Sequence, residues 1–163
     1  MTSANSAVTW DVFAAAAPGL AKTAKERFES AETHVLATLR KDGGPRVSGT
    51  EVSFRAPDIT IGSMPGARKA RDLQRSPAFA IHANPADPDD IRAGGADIKI
   101  SGTAVEVADP DEVERYRDPG TPPGPFHLFR LLLSEVVATG VEGDRLVVRL
   151  WRPGGEVREF RRS

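Results

Sequence analysis

The chain has 163 residues, enough for one domain with a proper core and too few for two comfortable ones. Lys and Arg number 22 against 23 Asp and Glu, and a net charge of -1 argues against the broad attraction that nonspecific nucleic-acid binding needs; any anion site must be local. The absence of cysteine excludes disulfides, thiolate zinc sites and cysteine nucleophiles, and no apolar run approaches the roughly 18 residues of a membrane span, so a soluble, cytoplasmic protein is expected.

Met1 to Ala7 is small and polar, and residues 1–8 are expected to be frayed. Thr9 is placed to cap a helix from Trp10 to Ala17, with Trp10, Phe13, Ala14 and Ala17 on one side. Pro18-Gly19 interrupts it, and Leu20 to Ser30 forms a second amphipathic stretch with Leu20, Ala24 and Phe28 four apart. Both suit helices packed on the outside of a sheet.

From His34 the periodicity changes to two. His34 to Arg40 reads as a strand, Lys41-Asp42-Gly43-Gly44 as a hairpin turn, and Pro45 to Arg55 as a long return strand. Ala56-Pro57-Asp58 then turns the chain into Ile59 to Met64, which predicts a meander of three consecutive strands. Gly49, inside the middle strand, marks either a bulge or a place where something flat lies against the backbone.

Pro65-Gly66 breaks the third strand, and Ala67 to Arg75 follows as a short basic helix. Ala78 to Ala83 is a strand, Asn84 to Gly95 a loop rich in Pro, Asp and Gly, and Asp97 to Val107 an alternating strand. Asp109 caps a helix with Pro110 at its first position, ending near Arg117. Asp118 to Pro125 cannot hold regular structure. Phe126 to Thr139 is a long strand, Gly140 to Asp144 a turn, and Arg145 to Arg152 and Glu156 to Arg161 are the last two strands. Hairpin order with inserted helices predicts a mainly β (α+β) fold, a small antiparallel barrel with peripheral helices forming one domain over residues 1–163.

Side-chain chemistry is thin. Neither G-x-S-x-G nor S-x-x-K occurs, and G-x-G-x-x-G and P-loop motifs are missing. His34, His82 and His127 fall on three different strands without a close-spaced ligand pair, so ordinary strand histidines are expected rather than a metal site. The carboxylates cluster where loop solvation and helix capping explain them. By elimination, chemistry would come from a bound cofactor, and no catalytic side chain stands out.

The basic helix carries the sharpest signal. Arg68 and Lys69 lie in its first turn, where the macrodipole and open N–H groups already present positive charge. A bound phosphate would relieve that conflict, because side chains and helix N-terminus would act on one anion together. A solvated basic face without a ligand is the other reading, and the residues alone leave both open.

Four segments together, LATLRKDGGPRVSGTEVSF (36–54), ITIGSMPGARKARDLQRSPAFAIH (59–82), IKISGTAVEVAD (98–109) and RLVVRLWRPGG (145–155), resemble the pyridoxamine 5'-phosphate oxidase-like family of flavin and deazaflavin split barrels. The most specific piece is Arg68, Lys69, Leu73 and Pro77 at the spacing R-K-x-x-x-L-x-x-x-P. The resemblance implies an antiparallel split β-barrel homodimer with FMN, or alternatively coenzyme F420, in a groove between subunits. It further implies that Arg68 and Lys69 bind the cofactor phosphate, that Ser63 and Met64 line the phosphate and ribityl part, and that Arg46, Val47, Ser48 and Gly49 form the edge along which the ring lies. The chain departs from the family's true oxidases, which carry a C-terminal Arg and His signature, because no histidine follows Trp151. The implied activity is therefore reduction of a small organic acceptor rather than pyridoxamine phosphate oxidation. A non-catalytic flavin, haem or tetrapyrrole binder is the alternative.

Overall fold

The structure is a computed structural model that describes residues 6–163; the expected frayed terminus falls outside the described residues as far as Asn5. Val8 itself is tied to the sheet, its N–H and C=O exchanging hydrogen bonds of 3.0 and 2.7 Å with Leu133. Helix α1 (Trp10–Ala16) starts at the Thr9 cap, whose hydroxyl accepts from the Val12 N–H at 3.4 Å. Helix α2 (Pro18–Glu29) begins at Pro18 itself, a residue that suits a first helical position because no N–H is needed there. The expected interruption at Pro18-Gly19 is thus the start of a helix.

Among the described residues nine strands form one sheet: β1 (His34–Leu39), β2 (Pro45–Thr50), β3 (Ser53–Arg55), β4 (Asp58–Ser63), β5 (Ala78–His82), β6 (Ala96–Glu106), β7 (His127–Glu142), β8 (Arg145–Trp151) and β9 (Arg158–Arg162). The pairing order is β2-β1-β5-β6-β7-β4-β3, with β8 added to β7 and β9 to β8, and every ladder is antiparallel. The expected long strand from Pro45 to Arg55 divides at Glu51-Val52. Its first half pairs with β1 and its second with β4, so the predicted three-strand meander does not form. Alternating residues suit a pleated surface whichever neighbour supplies the hydrogen bonds, so periodicity could not reveal the change of partner. Because β2 and β3 are consecutive in the chain yet lie at opposite ends of the strand order, the sheet curls into a barrel.

The barrel interior is apolar. Leu36, Ile59, Ile61, Ile81, Ile98, Ile100, Phe129, Leu131 and Leu133 are all buried, and α1 and α2 add Phe13, Ala24 and Phe28. Trp10, Phe13, Phe54 and Trp151 form a chain of ring contacts with centroids 4.8–5.1 Å apart, which sets Trp151 in the core.

The Asn84 to Gly95 loop contains one turn of helix, α4 (Pro88–Arg92), whose cap Asp87 accepts from the N–H groups of Asp89 and Asp90 at 2.9 Å. The same Asp-Pro start opens α5 (Pro110–Arg115), where the Asp109 carboxylate accepts from Asp111 N–H at 3.0 Å. Helix α3 (Arg68–Arg75) joins β4 to β5, as the sequence predicts, and buries Ala70 and Leu73 against the core.

Candidate functional site

Helix α3 begins at Arg68, so both cations do occupy its first turn, and no side chain caps it: Ala67 holds the cap position. Arg68 is exposed and makes no ion pair among the described residues. Lys69 is half-buried and its ammonium donates to the Gly49 carbonyl of β2 at 2.9 Å. Burial pushes the Lys69 pKa down, and the Glu51 carboxylate opposes that shift. One hydrogen bond therefore joins two residues that the sequence placed at the site from separate segments.

The four expected ring-edge residues alternate between faces of β2. Val47 and Gly49 point outward, Val47 with 70 % of its surface exposed, whereas Arg46 and Ser48 are partly covered on the other face. The β1–β2 ladder runs without a break from His34↔Thr50 to Leu39↔Pro45, so Gly49 sits in regular strand and not at a bulge. The bulge lies elsewhere, between Ser101 and Gly102 of β6. Arg46 is already engaged: its Nε lies 2.6 Å from Asp72 Oδ2.

Ser63 ends β4 and is buried, with a hydroxyl that has no hydrogen-bond partner among the described residues. Met64, one residue on, is 73 % exposed. Between the end of β4 and the first turn of α3, then, the chain carries an orphaned buried hydroxyl, an uncapped helix start and two cations. That donor set suits an anion with several acceptor oxygens.

Two carboxylates that sequence reasoning did not single out hold α3 in place. Asp72, buried on α3, accepts from Thr38 Oγ1 at 2.8 Å, Arg46 Nε at 2.6 Å and Arg75 at 2.9 Å, tying the helix to β1 and β2. Burial raises its pKa, but the three hydrogen bonds and the Arg46 charge outweigh burial and hold it below the ordinary value. Glu106, at the end of β6, accepts from Gln74 Nε2 of α3 at 2.9 Å and lies 2.8 Å from His127 Nδ1. Burial raises its pKa, but the hydrogen bonds from His127 and Gln74 and the Arg71 charge outweigh burial and hold it below the ordinary value. His127 Nε2 in turn accepts from the Gly66 N–H at 3.2 Å, in the turn just before α3. No spacing in the sequence connects these groups, which come from β6, β7 and both sides of α3.

The other histidines are separate. His34 Nδ1 accepts from Asn84 N–H at 2.9 Å, and His82 Nδ1 lies 2.5 Å from the Ala83 carbonyl. A cavity of about 540 Å³ opens at the far end of β7, lined largely by small residues of the α1–α2 junction and β6–β8. None of the expected site residues borders it. Its charged residues, Glu142 and Arg149, are paired with each other at 2.7 Å, so it offers a weaker donor set than the start of α3 despite its size.

The family model described as pyridoxamine 5'-phosphate oxidase matches residues 20–139. A pyridoxamine 5'-phosphate oxidase-related, FMN binding protein from Nostoc punctiforme shares the fold with a TM-score of 0.63 and 14% identity, covering 89% of this chain and 95% of that one. PhzG from Burkholderia lata, in complex with tetrahydrophenazine-1-carboxylic acid, gives a TM-score of 0.56 at 17% identity, with 88% of each chain covered. A heme binding protein from Mycobacterium smegmatis gives 0.54 at 18%, covering 88% of this chain and 58% of that chain. No curated protein matches the sequence.

Proposed function

Because the chain belongs to the pyridoxamine 5'-phosphate oxidase family, we propose that it binds FMN and works as a flavin-dependent oxidoreductase on a small organic acceptor. The observation that supports this reading is the uncapped first turn of α3, which carries both Arg68 and Lys69 and follows a strand that ends in the unpartnered Ser63 hydroxyl. These groups would hold the phosphate, with Met64 beside the ribityl chain and Val47 and Gly49 presenting the outer face of β2 to the ring. Bound FMN supplies a hydride carrier, so the protein need only bind, orient and exclude water. Coenzyme F420 also carries a phosphate and is the alternative cofactor.

A second copy of the chain is proposed to cover the outer face of β1 and β2. Val35, Leu39 and Val47 are exposed there, and the register sets Val35 opposite Gly49 and Ala37 opposite Val47 on the same side. Such a row of apolar residues suits contact with another surface.

The test is a titration of the purified protein with FMN. Arg68→Ala combined with Lys69→Ala is expected to weaken binding by about 2–3 kcal/mol, as for lost charge-assisted phosphate contacts. Unchanged affinity removes the site assignment. Mass spectrometry of any molecule that co-purifies separates FMN from F420, and turnover with a reducible acceptor separates enzyme from carrier.

One observation favours a second reading, haem binding without turnover. The His82 ring can donate Nδ1–H to Ala83, which leaves Nε2 free on the outer face of β5. A haem spectrum sensitive to His82→Ala, with no affinity for FMN, would replace the first reading with this one.

A further inference from the structure

The turn that precedes α3 is held by an imidazole whose two nitrogens do opposite jobs. His127 Nδ1 faces the Glu106 carboxylate at 2.8 Å and so carries the hydrogen, while Nε2 accepts from the Gly66 N–H at 3.2 Å. Both bonds exist together only in the neutral Nδ1–H ring. Protonation would put a second hydrogen on Nε2, facing the Gly66 N–H donor to donor. The Glu106 bond would survive and strengthen, but the Gly66 bond could not.

Resting on the phosphate reading of α3, we infer that His127 is a positioning residue whose neutral ring holds the Pro65-Gly66 turn so that the start of α3 is set for phosphate, and whose protonation releases it. The mechanical connection is short. Gly66 is two residues from Arg68, and the adjoining Ala67 N–H donates to Met64 O at 3.2 Å, so the turn and the first helical residue move as a unit. Glu106 completes the frame by also accepting from Gln74 at 2.9 Å, so one carboxylate fixes both the ring and the body of α3. The charged groups facing His127 are Glu106 from β6 and, through Glu106, Arg71 of α3. Ser63 of β4 lies opposite His127 in the β4–β7 ladder, and Phe129 of β7 stacks on the ring at 6.4 Å.

Two measurements decide the point. In the ligand-free protein, NMR titration of the His127 ring and the Gly66 amide should give one shared midpoint. Glu106→Gln, which removes the negative charge facing the ring, should move the ring and the Gly66 amide together, since one event governs both. FMN affinity should then be measured from pH 8 to 5.5 for the wild type and for His127→Gln, which keeps a carbonyl acceptor and does not titrate. A phosphate monoester itself titrates near pH 6 and affects both proteins alike, so only the difference between them counts. The wild type should lose about tenfold more affinity than His127→Gln across that range.

Equal pH profiles, or a Gly66 amide that stays still while the ring titrates, overturn the inference. So does a wild type that gains affinity in acid relative to the variant, which would make the charged ring a direct phosphate ligand. If neither protein binds FMN at pH 8 the cofactor reading fails, and the shared midpoint in the ligand-free protein still judges whether His127 holds the turn. Should His127→Gln not fold, the Glu106→Gln titration carries the same judgement.

Discussion

His34 is the buried histidine of this barrel, with its Nδ1 committed to the Asn84 N–H. Burial lowers its pKa from the ordinary 6.5, opposed by hydrogen bonds to the backbone of Phe28 and Ala31. The folded state therefore binds the proton less well than the unfolded chain, and the unfolded chain holds more protons below pH 6.5. Stability from this group is complete above that pH and is lost as pH falls below it. Urea unfolding at pH 7.5 and 5.5 should show a loss in the wild type that His34→Gln reduces, and equal losses would remove His34 as the cause. The residue was visible in the sequence as an ordinary strand histidine, which it is. His127 is a strand histidine too, and what the sequence does not show is its partners, because Glu106 and Gly66 lie 21 and 61 residues away. A lone histidine carries no mark of what faces its second nitrogen.

Helix α3 was legible because its start follows a Pro-Gly break and its apolar residues recur at helical spacing. The fastening of α3 was not legible. Asp72 looks like one more charge in a basic segment, and only the fold brings Arg46 and Thr38 to it. Helix α4 was missed although Asp87-Pro88 repeats the Asp-Pro start that identified α5, since the surrounding prolines, aspartates and glycines suggested a loop. The β6 bulge shows how closely the strands pack. A Cβ added to Gly102 would lie 1.9 Å from the Leu132 carbonyl oxygen and 2.9 Å from Ser134 N, both backbone atoms that cannot swing aside. Gly102→Ala is therefore expected to cost about 3 kcal/mol by forcing β6 and β7 apart, measured by denaturant unfolding. A loss of only a few tenths would show that the bulge can relax. Gly49→Ala makes the useful comparison, because its Cβ would meet only the Thr33 methyl at 3.4 Å, an ordinary contact.

The barrel as a whole follows from alternation, hairpin turns and the placing of helices, all readable in advance; its closure does not. Among the described residues no helix is long and apolar enough to cross a membrane. The exposed row on β1 and β2 is where the proposed second copy should sit. Val47→Lys places a charge in the middle of that row and should convert a dimer to a monomer in sedimentation velocity with the fold intact by circular dichroism. An unchanged sedimentation coefficient would move the contact to another surface.

Glu51 and Val52 carry the chain from β2 to β3, between the first and last strands of the pairing order. Hydrogen-bonded neighbours can slide past one another by a residue or two; peptide bonds, with successive Cα atoms about 3.8 Å apart, cannot. The girth of this cylinder is thus fixed by connectivity at that seam, like a belt whose buckle is sewn shut. Gly49 lies only two residues from the stitch, so the wall proposed to face the flavin ring borrows its steadiness from a join that never has to form.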